Sequence, residues 1–100
     1  MRIVLNFYYA SCYNYFMEKS SREILSEKNI SITNPRIIVL EQLLKYKKPI
    51  SIEDLQEILK GQVATSTLYR VLNDLKKINV LTEFITPENI TMIELSLHDD

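Results

Sequence analysis

Ser66, Arg70, Asn73 and Lys77 stand at spacings of 4, 3 and 4, with Thr67 and Tyr69 near the start of the same stretch. At about 100° per residue, those four share one face of a helix. Arg can bond a guanine edge twice, Asn can bond an adenine edge, and Ser or Thr can bond a phosphate oxygen. Tyr offers a hydroxyl and an apolar ring, and Lys77, further along, suits a phosphate. Together these groups have the chemistry needed to read a DNA major groove. A polar face with Arg and Lys is more often just a solvated surface. Here the groups suited to readout gather in the first turns, which is the part of a recognition helix that meets base edges.

The elements that would hold this face are legible around it. Leu68, Val71, Leu72, Leu75 and Ile78 follow an i, i+3, i+4, i+7, i+10 pattern, so a helix from about Thr65 to Asn79 buries the side opposite Arg70. Ser51-Ile52-Glu53-Asp54 resembles a capping box and opens a helix upstream, with Leu55, Ile58 and Leu59 buried and Gly61 as its stop. Asn34-Pro35 opens another, with Asn as cap and Pro at the first helical position. Ile37, Val39 or Leu40, Leu43 and Leu44 form its apolar stripe, Lys45, Lys47 and Lys48 favour its end, and Pro49 blocks continuation. A short helix from Arg22 to Lys28, capped by Ser20 or Ser21, turns Ile24 and Leu25 inward. Val80–Ile85 and Ile90–Leu97 are strand-like and flank Thr86-Pro87-Glu88-Asn89, a turn sequence, so the two form a hairpin. Four helices followed by a hairpin make a mainly α, winged helix-turn-helix architecture with a two-stranded wing.

Composition narrows the remaining chemistry. The 100 residues suit one small domain, with 46% apolar and 25% charged residues. The single Gly removes Gly-rich nucleotide loops. One His and one Cys cannot make a zinc site from those residue types alone, nor an intrachain disulfide. No nucleophile, base and orienter can be assembled, because a Ser-His-Asp triad would have to use His98, so the chain reads as no enzyme. Cys12 reads as an inert thiol, and a lone Cys fits a reducing, cytoplasmic setting. The net charge of -1 hides an asymmetry: residues 17–79 carry eleven Lys and Arg against eight acids, whereas residues 80–100 carry five acids and no base.

Residues 1–19 read as an N-terminal extension ahead of a domain at 20–100. Its first part, MRIVLNFYYASCYNYFM, is apolar and aromatic. A poor secretory signal, an ordered strand or helix, and a poorly ordered stretch upstream of a natural start at Met17 are all compatible with it. It is too short to span a bilayer, so no membrane partner is expected.

Several motifs together resemble the ferric uptake regulator family. Thr67-Leu68-Tyr69-Arg70-Val71-Leu72-Asn73-Asp74-Leu75 is similar to that family's Thr-Val-Tyr-Arg-x-Leu-x-x-Leu recognition helix. Ile32-Thr33-Asn34-Pro35-Arg36 resembles the opening of its second helix, Ile-Thr-Pro-Gln-Arg. Ile50-Ser51-Ile52-Glu53-Asp54-Leu55 resembles Val-Ser-Ala-Glu-Glu-Leu. Ile78-Asn79-Val80-Leu81 resembles Ala-Gly-Leu-Val before the wing, and Met92-Ile93-Glu94-Leu95 resembles the Tyr-Glu-Leu strand that ends it. The resemblance covers about Ser21 to Asp100. It implies a metal-responsive transcriptional repressor acting on double-stranded DNA, with Arg36, Ser66, Thr67, Tyr69, Arg70, Asn73 and Lys77 as the DNA-binding set. It also implies a homodimer formed through a second domain with His-rich and Cys-x-x-Cys metal sites.

The chain departs from the family at several positions. Pro49 lies where many members have a metal-ligating His, Ser31 where many have an Arg near DNA, and Ala64 where a Ser cap is usual, which leaves Thr65 to cap. The wing lacks Lys and Arg, so DNA affinity is expected to be weak. Glu94 matches a family position that can ligate the regulatory metal, and His98 lies near its His cluster. These two alone make an incomplete site, so no metal is expected to bind tightly in this chain; iron or zinc is what the resemblance implies for a full-length form. The chain stops roughly where the dimerisation domain would begin, so the family's dimer is not expected from it alone. The aromatic N-terminus could still drive another association. The alternative reading is a winged-helix module that docks protein, or a truncated remnant that no longer binds DNA specifically. An exposed Tyr69-Arg70 pair argues against it.

Overall fold

Ser20 accepts the Glu23 amide on its hydroxyl while the Glu23 carboxylate accepts the Ser20 amide, a reciprocal cap that starts the first helix. The computed structural model describes residues 20–96. Its helices are α1 (Ser21–Glu27), α2 (Asn34–Tyr46), α3 (Ile52–Ile58) and α4 (Thr65–Lys77). Its strands are β1 (Ile50–Ser51), β2 (Leu81–Ile85) and β3 (Thr91–Leu95). This is a winged helix-turn-helix.

Two helix starts differ from the sequence expectation. α2 is capped by Thr33, whose hydroxyl accepts the Arg36 amide at 3.4 Å, and Asn34 is already inside the helix. The Thr33 hydroxyl takes the cap one residue earlier, and Pro35 falls at the second helical position, where its missing N–H would have had no intrahelical partner. At α4 the cap is Ala64, not Thr65. Its side chain bonds no amide, so the first turn has no side-chain acceptor. α1 and α4 both end at an Asn in the left-handed region, Asn29 (φ 59°) and Asn79 (φ 64°). In each case the next amide reaches back five residues, Ile30 to the Leu25 carbonyl and Val80 to the Leu75 carbonyl. Asn tolerates that conformation better than most residues, and the closure satisfies carbonyls the helix would leave open.

The hairpin extends to a third strand. β2 and β3 pair antiparallel from Leu81 opposite Leu95 to Ile85 opposite Thr91. β1 joins the far side of β3, with Ile50 opposite Ile93, giving the order β1-β3-β2. Ser51 ends β1 and also caps α3, accepting the Asp54 amide at 3.0 Å. The turn holds itself: the Thr86 amide donates to the Ile90 carbonyl, and the Ile90 amide donates to the Thr86 hydroxyl.

One core lies between the helices and the sheet. Leu25, Val39, Leu40, Leu55, Leu75, Val80 and Ile93 are sealed in it, and Leu43, Leu59, Leu68 and Leu72 are nearly so. Ile37, Leu44 and Ile78 are half-buried against it. Ile58, expected inside, is 41% exposed. The buried stripe of α3 runs through Ile52, Leu55 and Leu59, and at about 100° per residue Ile58 stands about 90° off its mean direction.

Candidate nucleic-acid interface

α4 is held from below by apolar packing, and an ion pair lies on each flank. Leu68, Val71, Leu72 and Leu75 are buried, which fixes the rotation of the helix. Ser66, Tyr69, Arg70, Asn73 and Lys77 are exposed, and Thr67 is half-buried at the edge. Tyr69 keeps 46% of its surface in water although it is aromatic and next to a buried Leu. A ring left this open in a small domain is available to a partner.

On one flank, the Arg36 guanidinium of α2 donates to the Asp74 carboxylate at 3.0 Å and to the Ser31 carbonyl at 2.8 Å. Both partners of this ion pair are largely covered. Arg36 therefore ties the α1–α2 loop to α4, and its forked donors are turned inward. On the other flank, Lys76 meets Glu83 of β2 at 2.6 Å. Helical rotation puts Asp74 and Lys76 about 160° apart, on opposite sides of the outward stripe. Between α4 and the sheet lies an open cleft of about 330 Å³ lined by Tyr69, Asn73, Lys76, Glu83 and Asn89.

The structure thus gathers Ser66, Thr67, Tyr69, Arg70, Asn73 and Lys77 on one helix surface and places Arg36 beside it as a brace. The sequence reading missed Asp74, Lys76 and Glu83. Arg36 and Asp74 are 38 residues apart, and no helical or strand period links Lys76 to Glu83 across the junction between two elements. The readable signal was only that Asp74 and Lys76 lie between the apolar and outward stripes.

Glu94 is half-buried on β3 opposite Thr82. His98 and Cys12 lie outside the described residues. No group of three or more His, Cys, Asp or Glu able to hold a metal ion occurs among the described residues. Of the two metal candidates the sequence offers, only Glu94 lies among them, and one carboxylate does not by itself make a transition-metal site.

An exposed, polar helix face set in a helix-turn-helix with an adjoining hairpin defines a class, the winged-helix proteins. The more particular assignment comes from comparison with known proteins. Residues 27–100 match the model of the ferric uptake regulator family. The chain belongs to the ferric uptake regulator family. It is 25% identical over 87 residues to the ferric uptake regulation protein of Haemophilus ducreyi, an alignment covering 81% of this chain and 58% of the relative. The crystal structure of the Vibrio cholerae ferric uptake regulator aligns with a TM-score of 0.67 at 27% identity, covering 77% of this chain and 62% of that one. The ferric uptake regulator of Pseudomonas aeruginosa, solved with manganese, aligns with a TM-score of 0.69 at 22% identity, covering 82% and 62%, and speaks to the fold alone. The chain spans about three fifths of the length of these relatives. No described helix is long and apolar enough to cross a membrane.

Proposed function

We propose that residues 20–96 are the DNA-binding part of a metal-responsive transcriptional repressor that works in the cytoplasm, with no catalytic role. The observation that carries this reading is the outward face of α4. Arg70 and Tyr69 stand exposed in its first turns, fixed there by a buried opposite face. Arg70 reads a base edge in the major groove or clamps a phosphate, with Tyr69 beside it on a base. Ser66 and Thr67 take the backbone near the uncapped helix start, where amide groups favour a phosphate oxygen. Asn73 continues the reading face, and Lys77 meets phosphate. Arg36 contributes by holding α4 in place rather than by reading sequence.

Metal response and dimerisation belong to the family's second domain in this reading. Iron or zinc is the metal that family membership supports, and the double-stranded DNA partner is engaged by two copies. Residues 20–96 contribute Glu94 at most to a metal, and the isolated chain holds none tightly.

The test is binding of a labelled duplex across a salt series. Log affinity is expected to fall linearly with log salt, because phosphate contacts release counterions. Affinity of this chain alone is expected near the non-specific range, roughly 10⁻⁴–10⁻⁶ M. Duplex binding that is absent, or independent of salt, would favour a protein-docking module instead.

A further inference from the structure

The ion pair between α4 and the wing has a consequence for how the reading helix meets DNA. Lys76 Nζ lies 2.6 Å from Glu83 Oε1, and each side chain keeps about a third of its exposure, 35% and 34%. Lys76 shares the cleft beside the wing with Tyr69 and Asn73, both on or next to the reading face. It is therefore a cation at the edge of the groove-facing surface, one residue before Lys77. Glu83 sits mid-strand on β2, opposite Ile93, so the carboxylate is presented from a hydrogen-bonded ladder rather than a loose loop. Residues 80–96 also carry Glu88 and Glu94 and no Lys or Arg. The wing offers DNA no positive charge, and its one described ion pair occupies a cation of the helix.

An exposed pair of this kind adds little to folding, so its main effect is on the charge that a polyanion meets. A lysine strengthens DNA binding when it neutralises a phosphate and releases a condensed counterion, which steepens the salt slope by about 0.9. A lysine already neutralised by a fixed carboxylate contributes little of this, because the phosphate must first displace the carboxylate.

We propose that Glu83 is a built-in counter-charge that withholds Lys76 from the DNA backbone. It keeps the sequence-independent part of the affinity low, so binding depends more heavily on the base-reading face at Tyr69, Arg70 and Asn73. This rests on the DNA-binding reading above.

The test is a charge cycle on the full chain, with duplex affinity measured across a salt series and circular dichroism checking that each variant is folded. Glu83→Gln is expected to steepen the slope by about 0.9 and to raise affinity at 0.1 M salt roughly five- to ten-fold. Lys76→Ala alone is expected to leave the slope unchanged, and Lys76→Ala added to Glu83→Gln to cancel the gain. Glu88→Gln removes the same charge from the wing without freeing a lysine and is expected to leave the slope unchanged. The proposal is overturned if Glu83→Gln does not change the slope, if Glu88→Gln matches it, if the gain survives loss of Lys76, or if Lys76→Ala alone flattens the slope. The two readings fail separately. If the wild-type chain binds and Arg70→Ala weakens it while Glu83→Gln has no effect, only the Glu83 proposal fails. If the wild-type chain shows no salt-dependent duplex binding, the DNA-binding reading fails and takes the Glu83 proposal with it.

Discussion

α2 and α4 are both thirteen-residue helices that bury one stripe in the same core and are followed by a left-handed residue, Lys47 and Asn79, yet their starts are finished differently. α2 is closed. Thr33 caps its start, Pro35 sits in its first turn, and Lys47 at φ 63° ends it. α4 is left open at its start, where Ala64 bonds no amide, and it carries its Tyr and Arg on the open side. One helix is built to support, the other to present a surface. Under the proposed function, the missing side-chain cap of α4 lies at the end where a phosphate would bind.

The largest expected effect tests what the two helices share. Leu72→Ala in α4 and Leu40→Ala in α2 should each cost roughly 2–5 kcal/mol in urea unfolding, since both side chains are buried. A loss well under 1 kcal/mol for Leu72→Ala would mean that the rotation of α4 is wrong, and its outward face with it.

The next effect separates them. Arg70→Ala should cost about 1–3 kcal/mol of DNA binding while unfolding stability moves by no more than about 0.5 kcal/mol. An unfolding loss as large as the binding loss would make Arg70 a structural residue like Arg36.

The caps give a smaller and signed contrast. Thr33→Ala should destabilise by about 0.5–2 kcal/mol, whereas Ala64→Ser should stabilise by about 1 kcal/mol by supplying the missing acceptor. Thermal unfolding reads both. No gain from Ala64→Ser would show that the first turn of α4 is already satisfied.

Lys77→Ala is expected to be the mildest. It should weaken binding to all duplexes alike and lower the salt slope by about 1, without altering which sequences are preferred.

Most of the architecture was legible because its signals are local. The stripe from Leu68 to Leu75, Ser51 ahead of Asp54, and Pro87 and Asn89 in the turn each act within a few residues. The rest depended on what the chain meets elsewhere. β1 is two residues long and exists because Ile50 pairs with Ile93, so no period could disclose it. Ile58 looked buried because it is apolar and three residues after Leu55, but the buried direction of α3 is set by Ile52, Leu55 and Leu59, about 90° away. The outward residues of α4 followed from its period alone. The two ion pairs, Arg36 with Asp74 and Lys76 with Glu83, join elements whose approach is set by the finished fold. Arg36 stood in the DNA-binding set because of its motif. Its geometry instead gives it two intramolecular partners.

The most direct test of the central claim, that the outward face of α4 reads DNA sequence, is selection from a randomised duplex pool at low salt with the wild-type chain and Arg70→Ala side by side. Wild type should enrich a defined set of sequences, and Arg70→Ala should bind more weakly and lose preference at one base position. Equal affinity and the same enriched sequences for both proteins would contradict the account and favour a protein-docking role.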